Sequence, residues 1–266
     1  MVRPLWRSLF KKYNDRNRLR RVRADFWANT AEDQRYLEFF RQFIQPGDLV
    51  FDIGANLGRR AKVFLQLGAR VIACEPQSSC VSEIEQVLGH KRKLTILPVA
   101  LSNSEGTAEM LISNASYVSS LSNEHVELMK DRFAHSPAWS EQGTVEWSDR
   151  ETVRTTTVDS LIAQYGQPAF VKIDVEGFEY EVVQGLTKPV KFLSLEFIAE
   201  RIDKTYQAID YLSRLKPLEG QVLFDDSMEW KLDGWQRAED LKQSLGRLTD
   251  THRRSIGDVY IRSLQA

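Results

Sequence analysis

The sequence predicts an α/β domain: a mostly parallel sheet with helices on both faces and an antiparallel closing end. Three observations predict it. Apolar runs without polar alternation, such as "LVFDI" (49–53) and "AFVKIDV" (169–175), read as strands buried on both faces. Segments of helical periodicity separate them, which is the pattern of a parallel sheet. The last strands, in contrast, have only one polar helix between them, so they pair antiparallel.

The elements follow in order. Thr30 caps a helix, with Asp33 near its positive end and Tyr36, Phe39, Phe40, Phe43 and Ile44 on one face. Pro46-Gly47 stops it. "LVFDI" is the first strand; Ala61, Phe64, Leu65 and Leu67 mark a helix that Gly68 ends. "RVIACE" is the second strand, and Ser79 opens a helix closed by Gly89. "LTILPVAL" reads as the third strand and "TAEMLIS" as an extra one. "VRTTTV" is extended, and Asp159 is placed to cap the helix "SLIAQY". "AFVKIDV" is the fourth strand; Phe178, Val182, Val183 and Leu186 mark its helix. "FLSLEFI" is the fifth, with a helix through Ile202, Tyr206, Ile209, Leu212 and Leu215. "QVLFDD", "MEWKL" and "DVYIRSL" close the chain, around a polar helix near 237–246. Residues 30–266 are expected to form a single domain. Residues 113–150 are the least regular part; a long irregular connection in a compact domain is either a surface excursion or a lid over the acceptor.

Charge divides the chain. Residues 1–24 hold nine Lys/Arg and one acid, while the whole molecule has net charge −1. The molecule as a whole is therefore no polyanion binder. Residues 1–29 form a basic arm with Leu5, Trp6, Leu9, Phe10 and Tyr13 among its charges, read either as a packed helix or as a contact for an anionic membrane surface. Cys74 and Cys80 make neither a disulfide framework nor a zinc spacing and suit a reducing compartment. With no apolar stretch near 18 residues and no secretory leader, the expectation is a cytoplasmic protein, peripheral at the inner membrane face if the arm binds lipid.

The first glycine loop carries the cofactor reading. A dinucleotide fingerprint places a middle glycine against the pyrophosphate. Here Gly54-Ala55-Asn56-Leu57-Gly58 has Asn56 at that place. A nucleoside without phosphates fits better, and S-adenosylmethionine is such a ligand. Asp52 is placed to meet its ammonium or sulfonium end, directly or through water. Gly54 and Gly58 clear space for the methionine portion, and Asn56 both donates and accepts. Glu75, before Pro76 at the end of the second strand, suits the ribose hydroxyls. Ala100 and Leu101 flank adenine, and Ser102 offers it a polar contact. The plainer reading of Asp52 and Glu75 is that they cap neighbouring helices.

The fourth strand ends in "VKIDVEGFEYEVVQGL". Alternation puts Lys172, Asp174 and Glu176 on one side. The helix dipole explains Glu176 and Glu179 but not Asp174, which stands where open sheets bind ligands.

With "FDIGANLG", "EP", "ALSNSEGTAEM" and "TTTVDSL", this motif resembles the FkbM family of S-adenosylmethionine-dependent methyltransferases over residues 48–198. The resemblance implies a class I, Rossmann-like methyltransferase fold with a seven-stranded sheet. It also implies O-methylation of a sugar hydroxyl in a glycan, glycolipid or natural product.

Methyl transfer from a sulfonium is an in-line displacement that needs the acceptor oxygen held close and its proton removed. Asp174 is the first candidate base, Glu176 the second and Glu196, at the end of the fifth strand, the third. A magnesium ion acting as Lewis acid on Asp174 and Glu196 is an alternative. His125 and His135 are alternative bases of the right type; His90 and His252 have no such case. Other readings are an NAD- or nucleotide-sugar-dependent oxidoreductase and a non-catalytic partner subunit that keeps the cofactor. "DVEG" stands where base-flipping enzymes carry an NPPY-like motif, so no nucleic-acid substrate is expected.

Overall fold

The computed structural model describes residues 24, 26–28, 30–89, 91–134, 145–225 and 227–264. The expectations for the basic arm up to residue 23, and for His90 and His135, lie outside them.

Helix α1 (Ala31–Phe40) starts at a reciprocal cap. The Asp33 N–H donates to Thr30 Oγ1 and the Thr30 N–H to Asp33 Oδ2, each at 3.1 Å, which satisfies two donors. There follow β1 (Leu49–Ile53), α2 (Arg59–Gln66), β2 (Arg70–Cys74), α3 (Ser78–Leu88), β3 (Leu94–Leu97), β4 (Ala100–Leu101) and β5 (Gly106–Ile112). Next come α4 (Asn123–Ala134), β6 (Asp149–Thr156), α5 (Val158–Tyr165), β7 (Phe170–Ile173), α6 (Glu179–Gln184) and β8 (Phe192–Ile198). The chain closes with α7 (Ile202–Leu215), β9 (Leu218–Phe224), β10 (Gln236–Arg237), α8 (Ala238–Thr251) and β11 (Ile256–Ser263).

The main sheet runs β10-β9-β11-β8-β7-β1-β2-β3. Strands β3, β2, β1, β7 and β8 are parallel; β11 inserts antiparallel between β8 and β9. The order reverses where β1 meets β7, and crevices for ligands open at the carboxyl ends of strands at such a point. Both faces are covered. Phe51, Ile53, Val171, Leu193 and Leu195 pack with Leu161, Val182, Ile209 and Leu241 on one face. Val50, Val71, Ala73 and Phe170 pack with Phe40, Phe64 and Ile84 on the other. Strand alternation sends Asp52 to the second face, with Val50.

The structure departs from the expectations in five places. The sheet has eight strands rather than seven, because two-residue β10 adds to the edge beside β9. "LTILPVAL" is not continuous: it breaks after Leu97, where Pro98 has no N–H to give a ladder, and Ala100–Leu101 pairs with β6 in a separate sheet, β4-β6-β5. "MEWKL" forms no strand. The Gln221 side chain holds Leu232 N and O, and Trp230 instead packs 4.9 Å from Phe39 and 5.3 Å from Tyr260. Thr157, not Asp159, caps α5 by accepting from the Ser160 N–H; Asp159 accepts from the Thr187 N–H. Residues 123–134 of the supposedly irregular segment are helical, because His125, Val126 and Met129 share a buried face.

Candidate active site

The glycine loop is shaped by the protein around it. The Gly54 and Ala55 N–H groups both donate to Cys74 O at 3.0 Å, closing the loop on β2. Gly54 has φ 79°, and a Cβ there would lie 1.7 Å from the Asp174 carbonyl oxygen. Gly58, at φ 76°, begins α2, and its Cβ would lie 3.0 Å from Leu88. A side chain at either position would therefore meet the protein itself. Asn56 adopts φ 47°, and its Oδ1 accepts from Ser116 Oγ at 3.2 Å.

Glu75 is the hinge of the cleft. Its two oxygens accept from the Asn56 and Gln77 N–H groups, each at 2.8 Å. It thus ties the glycine loop to the end of β2. Burial to 3% exposure raises its pKa to about 7, against the lowering effect of those two bonds.

A cleft of about 690 Å³, part of it open to solvent, lies above β1, β2 and β7. Gly54, Asn56, Glu75, Pro76, Ala100 and Leu101 border it on one side, and Asp174 and Glu176 on another. Asp52, Ala55, Gly58 and Ser102 do not. Asp52 is wholly buried beneath the rim, with Lys172 Nζ 3.9 Å away and neither oxygen in a hydrogen bond. Burial raises its pKa, and Lys172 opposes that. Ala55 packs among core residues. Ser102 turns to Asn103, and its carbonyl fills the space beside Gly185. Sequence reasoning missed Gln77, Met110, Ser116 and Tyr117, which also border the cleft. The signal available for Ser116 and Tyr117 was their place in the 113–150 segment.

The second motif gathers charge at the rim. Register sets Ile173 beside Leu195, so Asp174, just past the end of β7, stands beside Glu196, which lies inside β8 and not at its end as the sequence suggests. Glu176 turns in at φ 58°, a strained value for a side-chain-bearing residue. One oxygen from each of Asp174, Glu176 and Glu196 lies within 4.8 Å of the other two. Lys172 Nζ donates to Asp174 Oδ2 at 2.8 Å. Burial works against the Lys172 charge, but Asp174 and Asp52 outweigh it and its pKa is raised. Burial also pushes Glu176 and Glu196 well above the usual carboxylate range, with Asp174 adding repulsion to each. Glu179 Oε1 accepts from the Val175 and Gly177 N–H groups and so braces the turn.

The His125 ring from α4 is 1% exposed and sits behind this turn. Burial lowers its pKa to about 4. His252, in contrast, bonds its own helix end and lies far along the chain from these motifs.

The arrangement suits a cofactor lying between Glu75 and Asp174 with its reactive end toward the three carboxylates. Solved methyltransferase structures resemble the chain at low identity. A putative RNA methyltransferase from Pyrococcus horikoshii is 11% identical, with 98% of this chain and 97% of that one covered, at a TM-score of 0.45. A TehB-like SAM-dependent methyltransferase from Corynebacterium glutamicum is 7% identical, with 93% and 95% covered, at 0.44. A putative O-methyltransferase from Klebsiella pneumoniae is 9% identical, with 98% and 94% covered, at 0.43. Comparison with curated proteins finds no match. The model of the methyltransferase FkbM domain matches residues 52–215, more than half of the chain and the span that holds both sequence motifs. The chain therefore belongs to the FkbM family of S-adenosylmethionine-dependent methyltransferases, with the class I fold that its sequence predicts.

Proposed function

We propose that the protein moves the methyl group of S-adenosylmethionine to a hydroxyl of a sugar-like acceptor: a glycan, a glycolipid or a natural product. The observation that carries this reading is Asp174, which borders the cofactor cleft and stands with Glu176 and Glu196 at the open rim. The sulfonium is already activated, so the protein's task is to hold an acceptor oxygen about 3–3.5 Å from the methyl carbon and take its proton. Asp174 is the base in this reading. Lys172 engages one of its oxygens and leaves the other for the acceptor. The oxygen–carbon bond forms as the carbon–sulfur bond breaks, and the proton passes to the carboxylate. Glu75 holds the ribose, and Ala100 and Leu101 flank the adenine.

Magnesium, expected beside these carboxylates, would supply a Lewis acid for the acceptor oxygen. Residues 113–150 serve as the lid, supported by the place of Ser116 and Tyr117 on the cleft. The basic arm is the membrane contact in a cytoplasmic, peripherally attached enzyme. Among the described residues no helix is long and apolar enough to cross a membrane. The family assignment displaces the oxidoreductase reading.

The test is incubation with labelled S-adenosylmethionine and glycolipid or polysaccharide fractions. Label in a sugar methyl ether, lost in Asp174→Asn with cofactor affinity retained, supports the reading. Wild-type turnover in that variant removes Asp174 as the base. Label only in nucleic acid or protein removes the acceptor class.

A further inference from the structure

We propose that residues 113–120 form a strap that closes the cleft over the cofactor, and that Ser116 is the positioning residue that latches it. This deepens the reading above and rests on its placing of S-adenosylmethionine in the cleft.

The strap leaves β5 and returns to it. Leu111 and Ser120 exchange backbone hydrogen bonds of 2.9 and 3.0 Å. Ser120, wholly buried, also donates from Oγ to Glu176 O at 2.6 Å. This end is therefore anchored both to β5 and to the turn of the second motif. Within the loop the Ser113 N–H donates to Ser119 Oγ at 2.9 Å and the Ala115 N–H to Ser113 Oγ at 3.1 Å, so the segment holds its own shape. Its tip is the short 3-10 turn Ser116–Val118. Ser116, Tyr117, Ser119 and Leu121 border the cleft.

The tip meets the residues that hold Glu75. Ser116 Oγ donates to Asn56 Oδ1 at 3.2 Å, and Gln77 Nε2 donates to Ser116 O at 3.0 Å. Asn56 and Gln77 are the same two residues whose backbone N–H groups bind the Glu75 carboxylate. Their main chains thus orient the ribose acceptor while their side chains hold the roof. From the other side, Trp147 Nε1 donates to Val118 O at 2.9 Å, and Trp147 lies outside the border of the cleft. These three side-chain hydrogen bonds each contribute a modest net free energy. A tip held by few bonds opens more readily than an end fixed in a strand ladder. The cofactor enters and leaves with the tip raised. With the tip lowered, Asn56 and Gln77 are fixed and Glu75 is held toward the ribose.

The test loads the whole chain with tritiated S-adenosylmethionine, without acceptor, and follows its release into an excess of unlabelled cofactor. Ser116→Ala, Gln77→Leu and Trp147→Phe should each speed release about twofold to tenfold, the effect of one lost hydrogen bond, with one cofactor bound per chain as in wild type. Ser116→Thr keeps the hydroxyl and should release at the wild-type rate. Trp147→Phe separates a strap from a plain contact, because it alters the strap and not the cleft. Hydrogen exchange gives a second readout: bound cofactor should slow exchange across residues 113–120 in the wild type, and less so in Ser116→Ala. Release unchanged in Ser116→Ala and Gln77→Leu overturns the latch. Faster release in those two but not in Trp147→Phe, or exchange at 113–120 that cofactor leaves unchanged, overturns the strap. No saturable cofactor binding to the wild-type chain fails the reading on which this inference rests, whereas binding with unchanged release fails this inference alone.

Discussion

Gly54 and Asp174 touch through their backbones so closely that a Cβ on Gly54 would fall 1.7 Å from the Asp174 carbonyl oxygen. The glycine loop and the second motif are therefore one packed unit. Gly54→Ala combines overpacking with a strained positive φ. It should cost on the order of 3 kcal/mol, read as a melting-temperature drop of roughly 6–12 °C. Since Asp174 must move, methyl transfer should fall further than stability does. A melt that matches wild type would show that the two loops do not pack in this way.

Glu75 makes cofactor binding pH-dependent. Its pKa is raised to about 7 by burial, so below that value the unliganded carboxyl is protonated and has lost acceptor capacity. Affinity for S-adenosylmethionine should fall as pH drops through 7, by up to about tenfold per unit. Stability runs the other way. The folded pKa exceeds the ordinary glutamate value of 4.5, so the group's contribution is complete below 4.5 and is lost as pH rises through 7. Glu75→Gln should bind cofactor weakly at every pH and remove that stability loss. Calorimetry from pH 6 to pH 8 on both proteins checks it; a flat wild-type profile would count against Glu75 as the ribose acceptor.

Lys62 and Asp33 form a buried pair at 2.8 Å, with side-chain exposures of 4% and 9%. Lys62 also donates to Phe26 O and Ala28 O, joining the chain before α1 to α2. Lys62→Met strands a buried carboxylate and should cost about 3–5 kcal/mol, while a further Asp33→Leu should recover most of it. Burial alone would raise the Asp33 pKa, but the bonds from Lys62 and Thr30 prevail and lower it. Its contribution is therefore full above 3.8 and fades as pH falls through the lower folded value. Urea unfolding at neutral and acid pH should show the Lys62→Met defect shrinking in acid.

Gly177 and His125 should couple energetically. Gly177→Ala places a methyl 2.6 Å from the His125 ring at φ 89°. His125→Gly removes the ring and with it the clash, though not the backbone strain. A double-mutant cycle on stability should give a favourable coupling of about 1–2 kcal/mol. Additivity would mean that the two do not meet.

Much of this was legible before any coordinates. β1, β2, β7 and β8 are continuous apolar runs because both their faces are covered, and such runs look alike in any order of the sheet. The capping of α1 by Thr30 and Asp33 is local chemistry, readable within four residues. "MEWKL" misled because its alternation is real but serves Phe39 and Tyr260 rather than a ladder. Asp159 misled because capping depends on which residue first leaves extended backbone, and Thr157 does so earlier.

The sequence by itself determined the alternation of strands and helices, the two motifs and the family, because each is written in residue type and short spacing. Only the tertiary structure decided what those residues touch. It placed Asp52 beneath the rim instead of on it, set Asp174 and Leu88 against the two glycines, and set His125 against Glu176 across 50 intervening positions of chain. The physical reason is that burial and contact between distant segments follow from how the sheet is wound and its loops are packed. No local pattern in the chain records either.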